Sequence, residues 1–344
     1  MSRLVWTARS FPGWSRITRA GSKQAGWARS VRVTILQTVV IGCLPASASS
    51  SPTPASPVHP PNADILQLQV TLAARGFRVG PIDGLDGPRT RAALRAFQQS
   101  SSLPQSLGSQ ASDPAPWHAA GPVLARYVVT TGDVAALGTV PPTWLGKSQA
   151  TRLPHETLLE AMAERSSAHP KLLLQLNPRI SWKQVAPGTE LVLPRFRDPP
   201  IRPIARVSIN LKTCTLVARD ASGHIVLMAP CSIGRVASSR PVGAFRVVSI
   251  VQDPSYTFDP ARFPESSEAR SLDRKLLLPP GPNNPVGVAW IGLNRHGIGI
   301  HGSPSPETVG RPESHGCFRL ANWDASYLAK VSWPGLPVEV GDHD

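Results

Sequence analysis

Ser314-His-Gly-Cys-Phe-Arg319 brings a thiol, an imidazole, a guanidinium and a glycine into six residues, and His301 precedes the cysteine by sixteen positions. A thiol becomes a nucleophile when a nearby imidazole takes its proton, and the partner need only be close in space. Cys317 and His301 therefore make a candidate pair for covalent acyl chemistry. Zinc would need a fourth ligand beside His301, His315 and Cys317, and none stands at a usual spacing, so no metal and no cofactor is expected. The absence of any Ser-x-x-Lys string excludes a serine-based penicillin-binding enzyme. Four cysteines are present, at 43, 214, 231 and 317. If Cys43 is removed or modified with a leader, three remain, and an odd count suggests one pair and one free thiol. Cys214 and Cys231 flank the turn Asp220-Ala-Ser-Gly223, so a cross-hairpin disulfide and two separate thiols are both open readings.

Strands must position these residues. Val207-Ser-Ile-Asn-Leu211 and Ile225-Val-Leu-Met228 alternate or run apolar across a glycine-containing turn, as hairpin strands do, and Gly243-Ala-Phe-Arg-Val-Val-Ser-Ile250 starts another. Gly297-Ile-Gly-Ile-His-Gly302 predicts a later strand that carries His301. The segment from Asn322 to Val331 predicts a helix with Asn322 as its N-cap and Asp324 in the first turn, where a carboxylate favours the helix dipole.

Ile298-Gly-Ile-His-Gly302, the interval to Ser314-His-Gly-Cys317, and the following Arg319 together resemble the catalytic signature of the L,D-transpeptidases of the YkuD type. Ser232-Ile-Gly234, Pro241-Val-Gly-Ala-Phe-Arg246, Pro279-Pro-Gly-Pro-Asn-Asn-Pro285 and Trp290-Ile-Gly292 fall where that family has similar strings, from about Val207 to Val340. The resemblance implies a β-rich catalytic domain over residues 203–341, with mixed sheets and few helices. It makes Cys317 the nucleophile and His301 its base, with the Gly302 carbonyl orienting the imidazole and His315 shaping the site. Amides of Gly316 and Cys317 would face the oxyanion, glycine permitting close approach. Arg319 is a candidate for a stem-peptide carboxylate. Ser314 stands with it on the substrate side, closure of the loop by hydrogen bonding being its other reading.

Upstream, Ile65, Leu68 and Leu72 recur at helical spacing, Gly76 follows as a cap, and Pro88 opens a second helix carrying Ala93, Leu94 and Phe97 inward. The run LQLQVTLAARGFRVGPIDGLDGPRTRAALRAFQ resembles a short peptidoglycan-binding repeat, here an all-α module over 62–104. Within it Asp83, Gly84 and Thr90 read as turn and cap residues. The region 126–196, through its Leu-Leu-x-Leu-Asn-Pro and Pro-Gly-Thr-x-Leu-x-x-Pro strings, resembles a divergent LysM module of α/β type, with a spacer subdomain as the competing reading. Serine, proline, glycine and alanine dominate 49–61 and 105–125, which read as linkers. The expected class is thus a multidomain chain of three units.

The formal charge of +14 is uneven: seven of the 36 basic residues and none of the 22 acidic ones precede residue 43. No basic run interleaved with aromatics argues for nucleic acid. That basic stretch, the apolar run to Cys43 and the small residues Ala46-Ser-Ala48 read as an export signal over 1–48. Val40-Ile41-Gly42-Cys43 also resembles a lipobox, which would anchor the chain to a membrane through Cys43. The expectation is an exported protein of the periplasm or cell envelope, its partner peptidoglycan as tetrapeptide donor and amine acceptor. L,D-carboxypeptidase or thiol hydrolase chemistry and a non-catalytic wall-binding role are the rival functions. The oligomeric state is not fixed by the sequence.

Overall fold

The computed structural model describes residues 62–101, 122–314 and 316–342. The export signal with Cys43, the 49–61 linker, most of the 105–125 linker and His315 lie outside the described residues. Helix α1 (Ala63–Ala74) begins where the Asn62 side chain accepts from the amides of Asp64 and Ile65, and α2 (Pro88–Ser100) begins with its proline in the first turn. Between them the buried Gln69 amide donates to Asp83, Leu85 and Thr90 and accepts from the amides of Asp83 and Gly84. Asp83, Gly84 and Thr90 thus serve the turn.

Residues 124–194 run from β1 (Leu124–Val128) through α3 (Thr131–Ala135), α4 (Trp144–Gln149), α5 (Leu158–Arg165) and α6 (Pro170–Leu176) to β2 (Glu190–Pro194), which pairs antiparallel with β1. Asn177 ties α6 to β2 by bonds to Leu173 O and to both backbone groups of Val192. The sequence separates this segment from the helical module by a linker. In the structure Leu68, Leu72 and Phe97 share one core with Met162, Leu173 and Leu191. Units this short bury too little apolar surface alone, and pooling their cores offsets the deficit.

The C-terminal half is built on a mixed eight-stranded sheet. Its strands in chain order are β3 (Arg206–Asn210), β4 (Thr215–Arg219), β5 (Ile225–Pro230), β7 (Gly243–Gln252), β10 (Ala289–Leu293), β11 (Gly299–His301), β13 (Phe318–Arg319) and β14 (Pro337–Gly341). In space they run β13-β11-β10-β7-β14-β3-β4-β5. A short pair, β6 (Ile233–Gly234) with β12 (Pro312–Ser314), and α8 (Asn322–Val331) complete the frame. Cys214 and Cys231 face each other at the end of the β4–β5 hairpin, where the Cys231 amide donates to Cys214 O at 2.8 Å. Both are free thiols, which decides the open choice between disulfide and separate thiols.

The open edge of β5 is covered by the helical module. Arg78 N donates to Met228 O and Met228 N to Gly76 O, both at 2.7 Å, so residues 76–78 extend the sheet. Gly76 has φ +89, and a Cβ there would collide with the Val226 carbonyl. Beside it the buried Arg78 guanidinium meets Asp198 at 2.8 Å and Asp324 at 3.1 Å and stacks 4.6 Å from the Phe196 ring centre. Burial pushes the Asp324 carboxyl up to about 7, against the pull of Arg78. Asp324 thus stands in the first turn of α8, as the sequence predicts, and also serves this junction. Asn322 is not the cap of α8: Ala321 occupies that position with no side-chain cap bond, and Asn322 is buried among three backbone segments.

A flap runs from β8 (Tyr256–Phe258) through α7 (Ser267–Ser271) to β9 (Leu276–Leu278), which pairs antiparallel with β8. Residues 138–156 grip it. Trp144 stacks on Phe258 at 4.2 Å and tilts on Phe263 at 5.8 Å, while the Glu268 carboxylate accepts from the Trp144 and Leu145 amides at 2.9 and 3.0 Å. Arg152 forks onto Asp253 at 2.6 and 3.1 Å, and Leu153 is backbone-bonded to Pro280 and Asn283. Aromatic pairs of this kind contribute about 0.5–1.5 kcal/mol each beyond their buried area.

Two outcomes follow from these junctions. Replacing Arg78→Met leaves Asp324 buried without its cation and should cost about 3–5 kcal/mol of unfolding free energy in denaturant titrations. An unchanged midpoint would mean the ion cluster does not hold the two halves together. Trp144→Ala should speed hydrogen exchange of the amides of 256–278 about tenfold or more, while the amides of β3 and β14 stay protected.

Candidate active site

Strands β11 and β13 run parallel, with Ile300 beside Phe318 and His301 beside Arg319. Ile300 and Phe318 point into the core, 1% and 0% exposed. Side chains alternate along a strand, so Gly299, His301, Cys317 and Arg319 share the opposite face. The apolar alternation that buries Ile300 and Phe318 is thus what presents the imidazole and the thiol together.

His301 is buried and its Nδ1 lies 2.7 Å from Gly302 O. A carbonyl only accepts, so Nδ1 carries the proton and Nε2 keeps its lone pair. Burial pulls the imidazole down to about 4; the Gly302 bond opposes this and the Arg319 charge adds to it. The Trp290 indole, directly across β10, stacks 5.7 Å from the His301 ring at an interplanar angle of 19°. Gly302 itself is wedged: a Cβ would strike Asn322 Oδ1 and come 3.2 Å from Gly287 Cα. Asn322 Oδ1 accepts from Val288 N at 3.3 Å, and its Nδ2 donates to Glu164 at 2.8 Å and Pro282 O at 3.1 Å. The carbonyl that orients the imidazole is therefore fixed by an asparagine that the sequence pattern marks only as a helix cap.

Cys317 is half-buried and its Sγ contacts Gly297 O at 3.3 Å. Burial raises its pKa, while the Gly299 amide and the guanidinium groups of Arg262 and Arg319 pull it down. The thiol rises and the imidazole falls, so the resting site holds two neutral groups rather than an ion pair. The surrounding cations act on the sulfur without overcoming its desolvation.

The nucleophile loop is closed by Ser314. Its hydroxyl donates to Cys317 O at 2.5 Å and accepts from Gly316 N at 3.2 Å. Ser314 is buried, so it closes the loop and does not lie on the substrate side. The Gly316 amide is likewise committed to that hydroxyl and not held ready for an oxyanion. Glycine is needed at 316 for its φ of +134 and not for room, since the nearest atom to an added Cβ is Ile298 Cδ1 at 3.8 Å. Ser232 holds the other side: it exchanges two backbone bonds with Arg319 and accepts from Gly310 N at 3.0 Å. Arg319 is half-buried, with its pKa lowered by burial and raised by Cys317, Glu313 and Tyr256.

Three further residues stand around the pair, Tyr256 and Arg262 on the flap near Cys317 and Trp290 on β10 against His301, and the two on the flap carry no signal in sequence spacing. Burial raises the Tyr256 hydroxyl pKa, and the Cys317 charge adds to it. Flap residues reach the site through a fold-dependent crossing, so no interval along the chain ties them to Cys317. An aromatic directly opposite a strand histidine is the one local hint, and it marks Trp290.

Comparison with known proteins follows the same division of the chain. Residues 204–340 match the family profile described as the L,D-transpeptidase catalytic domain, YkuD, and residues 61–106 that described as "Putative peptidoglycan binding domain". A relative in Bacillus licheniformis, named "Putative L,D-transpeptidase YkuD", is 29% identical over 188 residues, covering 54% of this chain and 94% of that protein. Its namesake in Bacillus subtilis is 27% identical, covering 49% and 84%. A solved L,D-transpeptidase from Mycobacterium smegmatis aligns at 18% identity and TM-score 0.31, over 44% of this chain and 63% of that one. Residues 204–340 of this chain thus match the YkuD L,D-transpeptidase catalytic domain, and residues 61–106 before them match a peptidoglycan-binding domain.

Proposed function

We propose that the chain transfers acyl groups between peptidoglycan stem peptides through a thioester on Cys317. The observation that carries this reading is the His301 Nδ1 bond to Gly302 O, which leaves Nε2 as a base on the face that also bears Cys317. The Cys317 thiol gives its proton to His301 Nε2 as Sγ attacks the carbonyl joining the L-centre to the terminal D-residue. The C–N bond breaks, His301 returns the proton to the departing amine, and a thioester remains. An acceptor amine then attacks the thioester, loses a proton to His301, and the thiol is restored. A neighbouring diamino acid as acceptor gives a 3→3 crosslink, a free D-amino acid gives exchange, and water would give L,D-carboxypeptidase activity.

The tetrahedral oxyanion needs fixed donors. The Gly316 amide can serve only by leaving Ser314 Oγ, and Arg319 supplies positive charge beside the same atoms. His315 and the lipid anchor at Cys43 stay expectations of the sequence. The basic-apolar-small leader supports export to the envelope. The order strand, helices, strand in 124–194, and the Asn177 ties to β2, support a second wall-binding segment of LysM type.

Purified chain incubated with tetrapeptide muropeptides should yield crosslinked dimers by mass, and Cys317→Ala should abolish them. Tripeptides without dimers would mean hydrolysis, and unchanged substrate would reduce the chain to a binding protein.

The two neutral groups also set the pH dependence. kcat/KM reports the free enzyme, so its acid limb should lie near pH 4 to 5 and not near 6.5, with a plateau extending through pH 8. His301 acts on stability in the same direction. Its unfolded pKa of about 6.5 exceeds the folded value of about 4, so its contribution is complete above about 6.5 and is lost as pH falls through 4. A limb centred at 6.5 would show that the imidazole is not desolvated.

A further inference from the structure

We propose that Arg262 binds the free C-terminal carboxylate of the donor stem, which makes it the residue that selects stems whose scissile bond is the last one. The proposal rests on the acyl-transfer reading given above and assigns its donor specificity.

Arg262 closes the single 3-10 turn Pro260–Arg262 on the flap and is exposed. Its guanidinium lies against Gly297, where an added Cβ would come 2.8 Å from Nη2, and the Gly297 carbonyl is the group that contacts Cys317 Sγ at 3.3 Å. One peptide group thus separates the cation from the sulfur. Among the described residues no carboxylate lies within ion-pair distance of Arg262. The acid that shares its turn, Asp259, caps that turn through Ala261 N and is paired to Lys275 at 2.9 Å. The turn that carries the cation is anchored: its neighbour Phe263 stacks on Phe258 at 4.9 Å and lies 5.8 Å from Trp144, within the clamp from residues 138–156.

An exposed guanidinium on an anchored turn beside a nucleophile suits a planar anion that arrives with the substrate. In a tetrapeptide donor the terminal carboxylate is two bonds beyond the leaving nitrogen, and no other carboxylate of the stem is so near the attacked carbon. Extending the stem by one residue turns that carboxylate into a neutral amide and carries the charge away. Arg319 is the other guanidinium at the site, but it is half-buried next to His301, whereas Arg262 is exposed.

The test compares two synthetic tetrapeptide donors, one ending in a free carboxylate and one in a C-terminal amide, by mass spectrometric release of the terminal residue from the full chain. The wild-type protein should prefer the free acid. Arg262→Gln should lower kcat/KM for that donor about ten- to a hundredfold, mainly through KM, and bring the ratio between donors toward one. Arg262→Lys should retain part of the preference, since charge remains and the fork is lost. Equal losses on both donors, or an unchanged preference in Arg262→Gln, would overturn the assignment while leaving acyl transfer intact. Turnover of neither donor by the wild-type protein would overturn both readings together.

Discussion

The parallel pairing of β11 with β13 is the constraint on which the site depends. Two short strands carry one core residue each, Ile300 and Phe318, and their burial fixes which way every neighbour points. A one-residue slip would turn His301 and Arg319 into the core and bring Ile300 out, an arrangement that desolvation of a guanidinium forbids. The strands are too short to hold this register by themselves. Ser232 supplies the missing pairing by bonding both backbone groups of Arg319, and Ser314 ties the intervening loop to Cys317 O. The hydrophobic core thus sets the direction of the side chains, and two serine residues set the spacing.

The sequence shows this half of the chain clearly because its information is local. Alternating apolar residues mark the strands, and the ordered strings from Ser232 to Arg319 are landmarks of one domain. Cys317, His301 and Arg319 lie on one face of adjoining strands, Ser314 and Gly316 lie in the loop between, and Gly302 holds the imidazole. Long-range packing was not legible. Asn322 has the composition and position of a helix cap, yet the meeting of Gly287, Gly302 and Pro282 gives its amide more partners inside than a helix end offers outside. Asp324 has the position of a dipole partner, and a buried arginine from a segment far upstream also pairs with it. Tyr256 and Arg262 act on Cys317 only because the flap is brought beside Gly297. Composition divides the chain at its linkers, and the shared core of 62–101 and 124–194 crosses that division.

The N-terminal half is therefore more than an attachment. It covers the exposed edge of β5, supplies the cation for Asp324, and grips the flap through Trp144, Leu145 and Leu153. Wall-binding segments tethered by flexible linkers would raise local substrate concentration and nothing more. Segments packed into the catalytic half also hold the flap whose Tyr256 and Arg262 act on the sulfur.

The protonation of the resting pair explains why a carbonyl is enough to orient His301. A carboxylate in its place would stabilise an imidazolium, as in a serine triad, but here the imidazole is neutral and its cation is opposed by burial and by Arg319. In the proposed reaction His301 becomes charged only when it accepts the thiol proton. The same burial and the same Arg319 then make that imidazolium a strong acid, with every reason to pass the proton to the leaving amine. Arg319 also lies close enough to Cys317 to favour negative charge on sulfur and on the adjoining oxygen. One cation thus helps the nucleophile form and hastens the departure of the amine, which a fixed carboxylate behind the histidine would instead delay.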